Sequence, residues 1–339
     1  MTANRPMTAD ELLKHPEYDH TIWDLKPEQA GKVPVARNRG GPLNIAYEVH
    51  GRGNIHIVFV MGLGGMKYAW QRQTRDLAHK QADRYSCLVL DNRGIGESDK
   101  PFFRYSTSEM AKDVIEVIDH VGWTSKRQLH VVGISMGGMI AQELGFFENL
   151  YNRANLFIPK AIDQQIENVK KNLYTEEWLA APDTLEHVVK SFPTNGDRFA
   201  ANEMWKRSHP TYFKKGGFIL QAAAAWLHYK SPEDLHKIAN TIGKRRIMVV
   251  HGTEDRMITF PHGVVVWRGL EKGEGRTGKE NWLGIEEEDD VWEEGEVEKH
   301  FVKGQGHVLP IERREEFKGW LENLVQRGEE SNEREGITR

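Results

Sequence analysis

Short apolar runs rich in β-branched residues alternate along this chain with longer stretches in which apolar positions recur every three or four residues. The short runs predict strands over Leu43 to Val49, Ile55 to Val60, Ser86 to Leu90, Leu129 to Gly133, Arg246 to His251 and Lys299 to Val302. The helical spacing predicts helices over Trp70 to Gln81, Thr107 to Val121, Gly137 to Phe147 and Ile311 to Gln326. Strands that alternate with helices imply an α/β protein, with a mostly parallel twisted sheet and helices on both faces.

The alternation breaks twice. From about Glu148 to Gly243 the strand signal fades and helical patterns rich in Trp, Phe, Lys and Glu take over, which reads as a helical cap inserted between two strands. Its apolar stretch Gly217 to Leu227 fits either the lining of an acyl pocket or the cap's own core. A second excursion, Glu271 to Val297, carries Glu286-Glu287-Glu288-Asp289-Asp290, and like charges at that density predict a solvated loop. The expected organisation is an N-terminal extension and first-strand region over 1–42, core over 43–147, cap over 148–243, core with the acidic loop 271–297 over 244–327, and a charged, disordered tail over 328–339.

With 39% hydrophobic residues in 339 and a net charge of −4, the chain can bury a core but shows no bias toward nucleic acid or an anionic membrane. A single cysteine, Cys87, in the strand-like Ser86 to Leu90 run, excludes an internal disulfide and suits a reducing compartment. Met1 to about Lys32 is polar and charged, and no segment reaches the ~20 apolar residues of a membrane span, so a soluble, cytoplasmic protein is expected.

The candidate chemistry sits at strand ends. Gly133-Ile134-Ser135-Met136-Gly137 follows the apolar run Leu129 to Val132 and precedes a helix-like stretch, the context in which a G-x-S-x-G turn displays a serine nucleophile. A serine hydroxyl needs a base, and the base needs an orienting group. His307, in a loop after one strand and before a helix, fits the base. Asp255, at the end of the run Met248 to His251, fits the acid, with Glu254 the alternative. Val60 to Gly65 follows a strand and is rich in glycine, so the Leu63 N–H, together with the Met136 N–H after the nucleophile, is the candidate oxyanion donor pair. No G-K-[ST] follows that loop, which excludes a P-loop, and the histidines His15, His20, His50, His56 and His120 lack zinc-ligand spacing, so no metal is expected.

With Met61 to Gly65, Asp91 to Ser98, Gly133 to Gly137, His251 to Asp255 and Gly306-His307 in this order, the chain resembles the α/β-hydrolase superfamily, in particular its capped serine hydrolases and esterases. The resemblance covers roughly residues 43 to 325. It implies a cofactor-free Ser135–Asp255–His307 triad and gives Asp91 to Ser98 the role of a structural turn. Two departures stand out: Met61 occupies a position that is usually His, and a sixth strand after the elbow helix is missing or shortened. Ala154 to Ile158, closed by Pro159, is the segment that could supply it or could begin the cap.

The expected function is hydrolysis of a carboxylic ester or related small acyl substrate through an acyl-enzyme. Acyl transfer to another acceptor would use the same residues, and a weakly active or inactive ligand-binding protein of this fold is the alternative from a different class. The partner is a small acyl compound rather than nucleic acid or membrane. The oligomeric state is left open.

Overall fold

The computed structural model describes residues 5–145, 162–275 and 294–337. All the predicted strands form, with ends within two residues of expectation: β2 (Leu43–His50), β3 (Ile55–Val60), β4 (Tyr85–Leu90), β5 (Leu129–Gly133), β6 (Met248–Gly252) and β7 (Glu298–Val302). An additional strand, β1 (Gln29–Val35), precedes them. Its first four positions are exposed and only Val33 and Val35 are buried, so it carries little alternation in sequence. It pairs with β2 alone, an edge position that tolerates Pro34.

The strands run in the order β1-β2-β4-β3-β5. β1 and β2 are antiparallel, as are β2 and β4; β3 lies parallel to both β4 and β5. β6 and β7 pair in parallel as a separate ribbon. Among the described residues no strand stands between β5 and β6, and Ala154 to Ile158 lies outside them.

The segment before β1, taken from sequence as a polar extension, packs on the cap. Its short α1 (Ala9–Leu13) is closed by a Thr8–Glu11 capping box, and Leu12 and Tyr18 join Phe192, Ala200 and Ala201 in an apolar cluster. The predicted helix over 70–81 is instead a 3-10 turn (Lys67–Trp70), a one-turn α2 (Gln71–Thr74) and a wide turn (Arg75–His79).

α3 (Thr107–Val121) begins at a Ser106 cap and ends at Gly122 in the left-handed region. It packs Met110, Val114 and Val117 on one sheet face against Val58, Val60, Leu88 and Leu90. α4 (Met136–Gly145) adds Ile140 to the same layer. The other face buries Ile57, Phe59, Cys87 and Val89 against Trp70 and Leu77. Burial on both faces is why β3 and β4 read as continuous apolar runs.

The cap contains α5 (Ile162–Leu173), α6 (Glu176–Ala180), α7 (Asn195–Ser208) and α8 (Lys215–Trp226). α9 (Pro232–Ile242), expected to belong to the cap, buries Leu235, Ile238 and Ala239 against Trp267 and Leu270 of α10 (Phe260–Lys272), and so forms part of the layer beside β6.

The acidic run Glu286 to Asp290 lies outside the described residues. Its flanks are fixed: Glu271 is already in α10, Val297 N–H donates to Glu271 Oε2 at 2.7 Å, and Trp267 Nε1 donates to the Val297 carbonyl at 3.1 Å.

A short α11 (Leu309–Glu312) leads into α12 (Arg314–Arg334), whose Phe317, Leu321 and Val325 complete the second sheet face. This corrects the expected disordered tail, because helix continues to Arg334. Its polar residues have partners elsewhere in the fold: His130 Nε2 pairs with Glu329 at 2.8 Å, and Arg246 Nη1 donates to the buried Asn332 at 2.8 Å.

Candidate active site

β5 runs into α4 through a turn so tight that a Cβ on Gly137 would stand 2.1 Å from the Val60 carbonyl oxygen. Only glycine fits there. Ser135, at the apex, has φ +56°, a left-handed conformation that costs a non-glycine residue energy and persists where the surrounding packing enforces it. The serine lies against the loop after β3, where a Cβ on Gly62 would approach Ser135 Cβ to 2.9 Å and Oγ to 3.5 Å.

That loop is held from three sides. Asn92 Nδ2 donates to the Met61 carbonyl at 2.8 Å, the Gly64 N–H donates to Gln221 Oε1 at 2.9 Å, and Lys206 Nζ donates to the Gly64 carbonyl at 3.2 Å. Neither the Leu63 N–H nor the Met136 N–H has an acceptor among the described residues. Met136 is the first residue of α4, where a helix leaves its N–H groups open.

The turn Asp91 to Ser98 braces the same edge. Asp91 is fully buried and accepts from the Lys67 and Glu97 N–H groups at 2.7 and 2.9 Å, while Arg93 grips Asp113 with two bonds of 2.6 Å. Burial pushes the Asp91 carboxyl pKa up, against the pull of Lys67.

Asp255 and His307 come together. His307 Nδ1 donates to Asp255 Oδ2 at 2.6 Å, and Asp255 Oδ1 accepts the Met257 and Ile258 N–H groups at 2.8 Å each. The acid is buried, whereas Glu254 is exposed and contributes its N–H to the Gln305 carbonyl at 2.9 Å, joining the acid loop to the histidine loop. His251, the last residue of the predicted strand, is the penultimate residue of β6 and supports Asp255: its Nε2 donates to the Ile258 carbonyl at 2.8 Å and lies 3.3 Å from Asp255 Oδ2. Burial pushes its imidazole pKa down, the attraction of Asp255 notwithstanding.

The histidine loop is tied to the cap. The His307 N–H donates to the Leu173 carbonyl at 2.9 Å, and Glu312 accepts from both Gly306 and Thr175 N–H at 3.2 Å. Burial raises the Glu312 pKa. Among the described residues no hydrogen bond joins Ser135 to His307.

A cavity of about 180 Å³ opens between the cap and the glycine loop, lined by Leu63, Gly64, Trp178, Phe199, Phe218 and Val308 among others. Phe218 brings α8 to this cavity, while Ala224 from the same helix joins the main core. A larger cavity of about 420 Å³ lies under the N-terminal segment beside Lys67; Ser135, Asp255 and His307 line neither cavity, and the smaller one reaches the site through Leu63 of the glycine loop and Val308 beside His307.

Gln221 and Glu312 carry no motif in sequence, because each acts on backbone groups of loops that only folding brings to it. Among the described residues no group of acidic, histidine or cysteine side chains is placed to hold a metal ion.

The family described as alpha/beta hydrolase fold matches residues 55–145, a stretch that contains the glycine loop and Ser135 but neither Asp255 nor His307. A putative carbamate hydrolase RutD from Azorhizobium caulinodans is 34% identical over 105 residues, covering 31% of this chain and 37% of that protein. A putative non-heme bromoperoxidase BpoC from Mycobacterium tuberculosis is 35% identical over 102 residues, 30% of this chain and 36% of its own. The match thus spans little more than a third of the length of these two relatives. In three dimensions, the meta-cleavage product hydrolase from Pseudomonas fluorescens IP01 superimposes over 88% of this chain and 97% of its own, with a TM-score of 0.59 at 16% identity, a likeness of fold.

Proposed function

Taking as premise that this chain belongs to the α/β-hydrolase superfamily, we propose that it is a serine hydrolase cleaving a carboxylic ester or related small acyl substrate. The observation that carries the proposal is the buried Asp255–His307 pair at 2.6 Å, positioned by loops that also meet the cap. An acid satisfied by two backbone N–H groups and an imidazole Nδ1–H fixes the histidine tautomer that leaves Nε2 as the proton acceptor.

In this reading His307 Nε2 takes the Ser135 proton as Oγ bonds to the substrate carbonyl carbon. The carbonyl oxygen becomes an oxyanion and accepts from the Leu63 and Met136 N–H groups, each donor contributing on the order of 10²–10³ in rate. Collapse breaks the carbon–oxygen bond, and the departing alkoxide leaves as alcohol with the proton from His307. Water then gives a proton to His307 and attacks the acyl-serine. Cleavage returns that proton to Ser135 Oγ and releases the acid. The cycle draws on these groups and water alone.

The Ser135–His307 hydrogen bond closes with substrate in place, since catalytic contacts are often long before substrate binds. The same open contact is the observation that supports a second reading, a ligand-binding protein of this fold without turnover.

Among the described residues no helix is long and apolar enough to cross a membrane. The lone, buried Cys87 supports a cytoplasmic setting.

The deciding experiment is intact-mass analysis after treatment with a fluorophosphonate. One adduct on the wild type, absent from Ser135→Ala and strongly reduced in His307→Ala, is the expected result. A folded wild type that takes no adduct overturns the hydrolase reading in favour of the binding protein.

A further inference from the structure

The cavity beside the glycine loop is lined by four cationic side chains, Arg72, Arg198, Lys206 and Arg207, against one carboxylate, Glu203. Three of the cations have partners. Arg198 Nε donates to Asp183 at 2.8 Å, Lys206 Nζ to Glu203 at 2.5 Å, and Arg207 Nη2 to Glu203 at 3.1 Å.

Arg72, in α2, does not. It is 8% exposed, yet its side chain makes no hydrogen bond or ion pair with any described residue. Of the groups that act on its charge, Asp183 is already bound by Arg198, Arg198 and Arg314 are themselves cations, and Tyr174 supplies only a neutral phenol. Burial pushes the Arg72 pKa down to about 10, which leaves the guanidinium charged at neutral pH.

A buried charge without a partner is costly, and proteins seldom keep one. A guanidinium fork matches a planar carboxylate through two parallel hydrogen bonds, a geometry that a point-like ammonium does not offer. The same cavity is also lined by Trp178, Phe199 and Phe218, apolar surface that lowers the local polarity and so strengthens such a pair, and the small volume favours short chains.

We propose that this cavity binds the carboxylate of an acidic acyl substrate through Arg72, making the preferred substrate a half-ester of a short dicarboxylic acid. The inference rests on the hydrolase reading for the turnover of that substrate, and on Arg72 alone for its binding.

Two measurements separate the parts. Calorimetric titration with glutarate, the product of such a half-ester, gives a binding isotherm on the wild type that is lost in Arg72→Gln and partly restored in Arg72→Lys. No binding to the wild type, or equal binding to wild type and Arg72→Gln, overturns the proposal whether or not Ser135 reacts.

In parallel, monomethyl glutarate is compared with the neutral dimethyl ester. Arg72→Gln raises KM for the half-ester on the order of tenfold to hundredfold, with a much smaller change in kcat and a much smaller change in KM for the diester. Equal loss on both esters overturns the carboxylate assignment. Fluorophosphonate labelling of the same samples reports on Ser135 independently: if it fails while glutarate binding depends on Arg72, the hydrolase reading falls and the anion site stands. Melting temperature controls for folding, and removal of an unpaired buried charge raises it in Arg72→Gln.

Discussion

The Gly64 N–H and the Gln221 side chain meet at 2.9 Å, and the same fully buried glutamine donates through Nε2 to the Arg93 carbonyl at 2.8 Å. One side chain of α8 therefore bridges the loop bearing the Leu63 N–H and the turn after β4, setting the height of that loop over Ser135. Gln221→Leu strands two buried backbone groups and lowers unfolding stability by about 2–4 kcal/mol in urea titration. It also lets the loop drift, which slows fluorophosphonate labelling of Ser135 on the order of tenfold or more. Wild-type labelling in a folded Gln221→Leu protein would mean that α8 does not position the loop.

Asp255→Asn is isosteric but can present an amide N–H to His307 Nδ1, which turns the imidazole to the wrong tautomer. Ester turnover is expected to fall by about 10³–10⁴ while circular dichroism stays native, because the Met257 and Ile258 N–H groups still find an acceptor. Glu254→Gln, altering an exposed side chain, is expected to retain activity within about twofold. Equal losses in the two variants would reassign the acid.

What could be read from sequence was what the chain needs locally. β3 and β4 were legible because both of their faces are buried, and the elbow because its steric demand falls on glycines adjacent to Ser135. β1 was illegible because five of its seven positions face solvent and Pro34, one of them, argues against a strand. The end of α12 read as disorder because charge was its only visible property, and Arg246 and His130, which hold it, come from other parts of the chain. Distance hid the site's supports as well: Gln221 lies 157 positions from the glycine it binds. Asp255 and His307 could be proposed from strand ends and chain order, but the bond between them comes from folding alone.

Acidification is expected to destabilise the fold at pH values well above those at which carboxylates titrate. The His251 pKa is lowered chiefly by burial, so the native ring stays neutral where the unfolded one, near 6.5, begins to protonate. Below pH 6.5 the unfolded state binds more protons than the native state, and stability falls as pH falls toward the lowered folded pKa. His79, depressed by burial and by His50, acts in the same sense. Urea titrations at pH 7.5 and 5.5 should show the loss, and His251→Asn should lose less between those values. An identical pH response in wild type and variant would rule His251 out as a contributor.

Glu17 holds the cap from outside the core. It is fully buried, and its two carboxylate oxygens accept the N–H groups of Val188, Val189 and Lys190 at 3.1, 2.8 and 3.4 Å, closing the connection between α6 and α7. Those three bonds, assisted by His187, keep its pKa below the usual range despite the opposing effect of burial. Glu17→Ala leaves the three donors without that acceptor and is expected to cost about 2–4 kcal/mol, part of it recovered as water enters. The local signature is specific: limited proteolysis should cut between residues 181 and 194 in the variant before any site in the β-sheet opens. Because α7 also carries Lys206 to the Gly64 carbonyl, fluorophosphonate labelling should slow in step with that cleavage susceptibility. A variant that resists cleavage in this connection as well as the wild type does would show that the cap stands without the N-terminal segment.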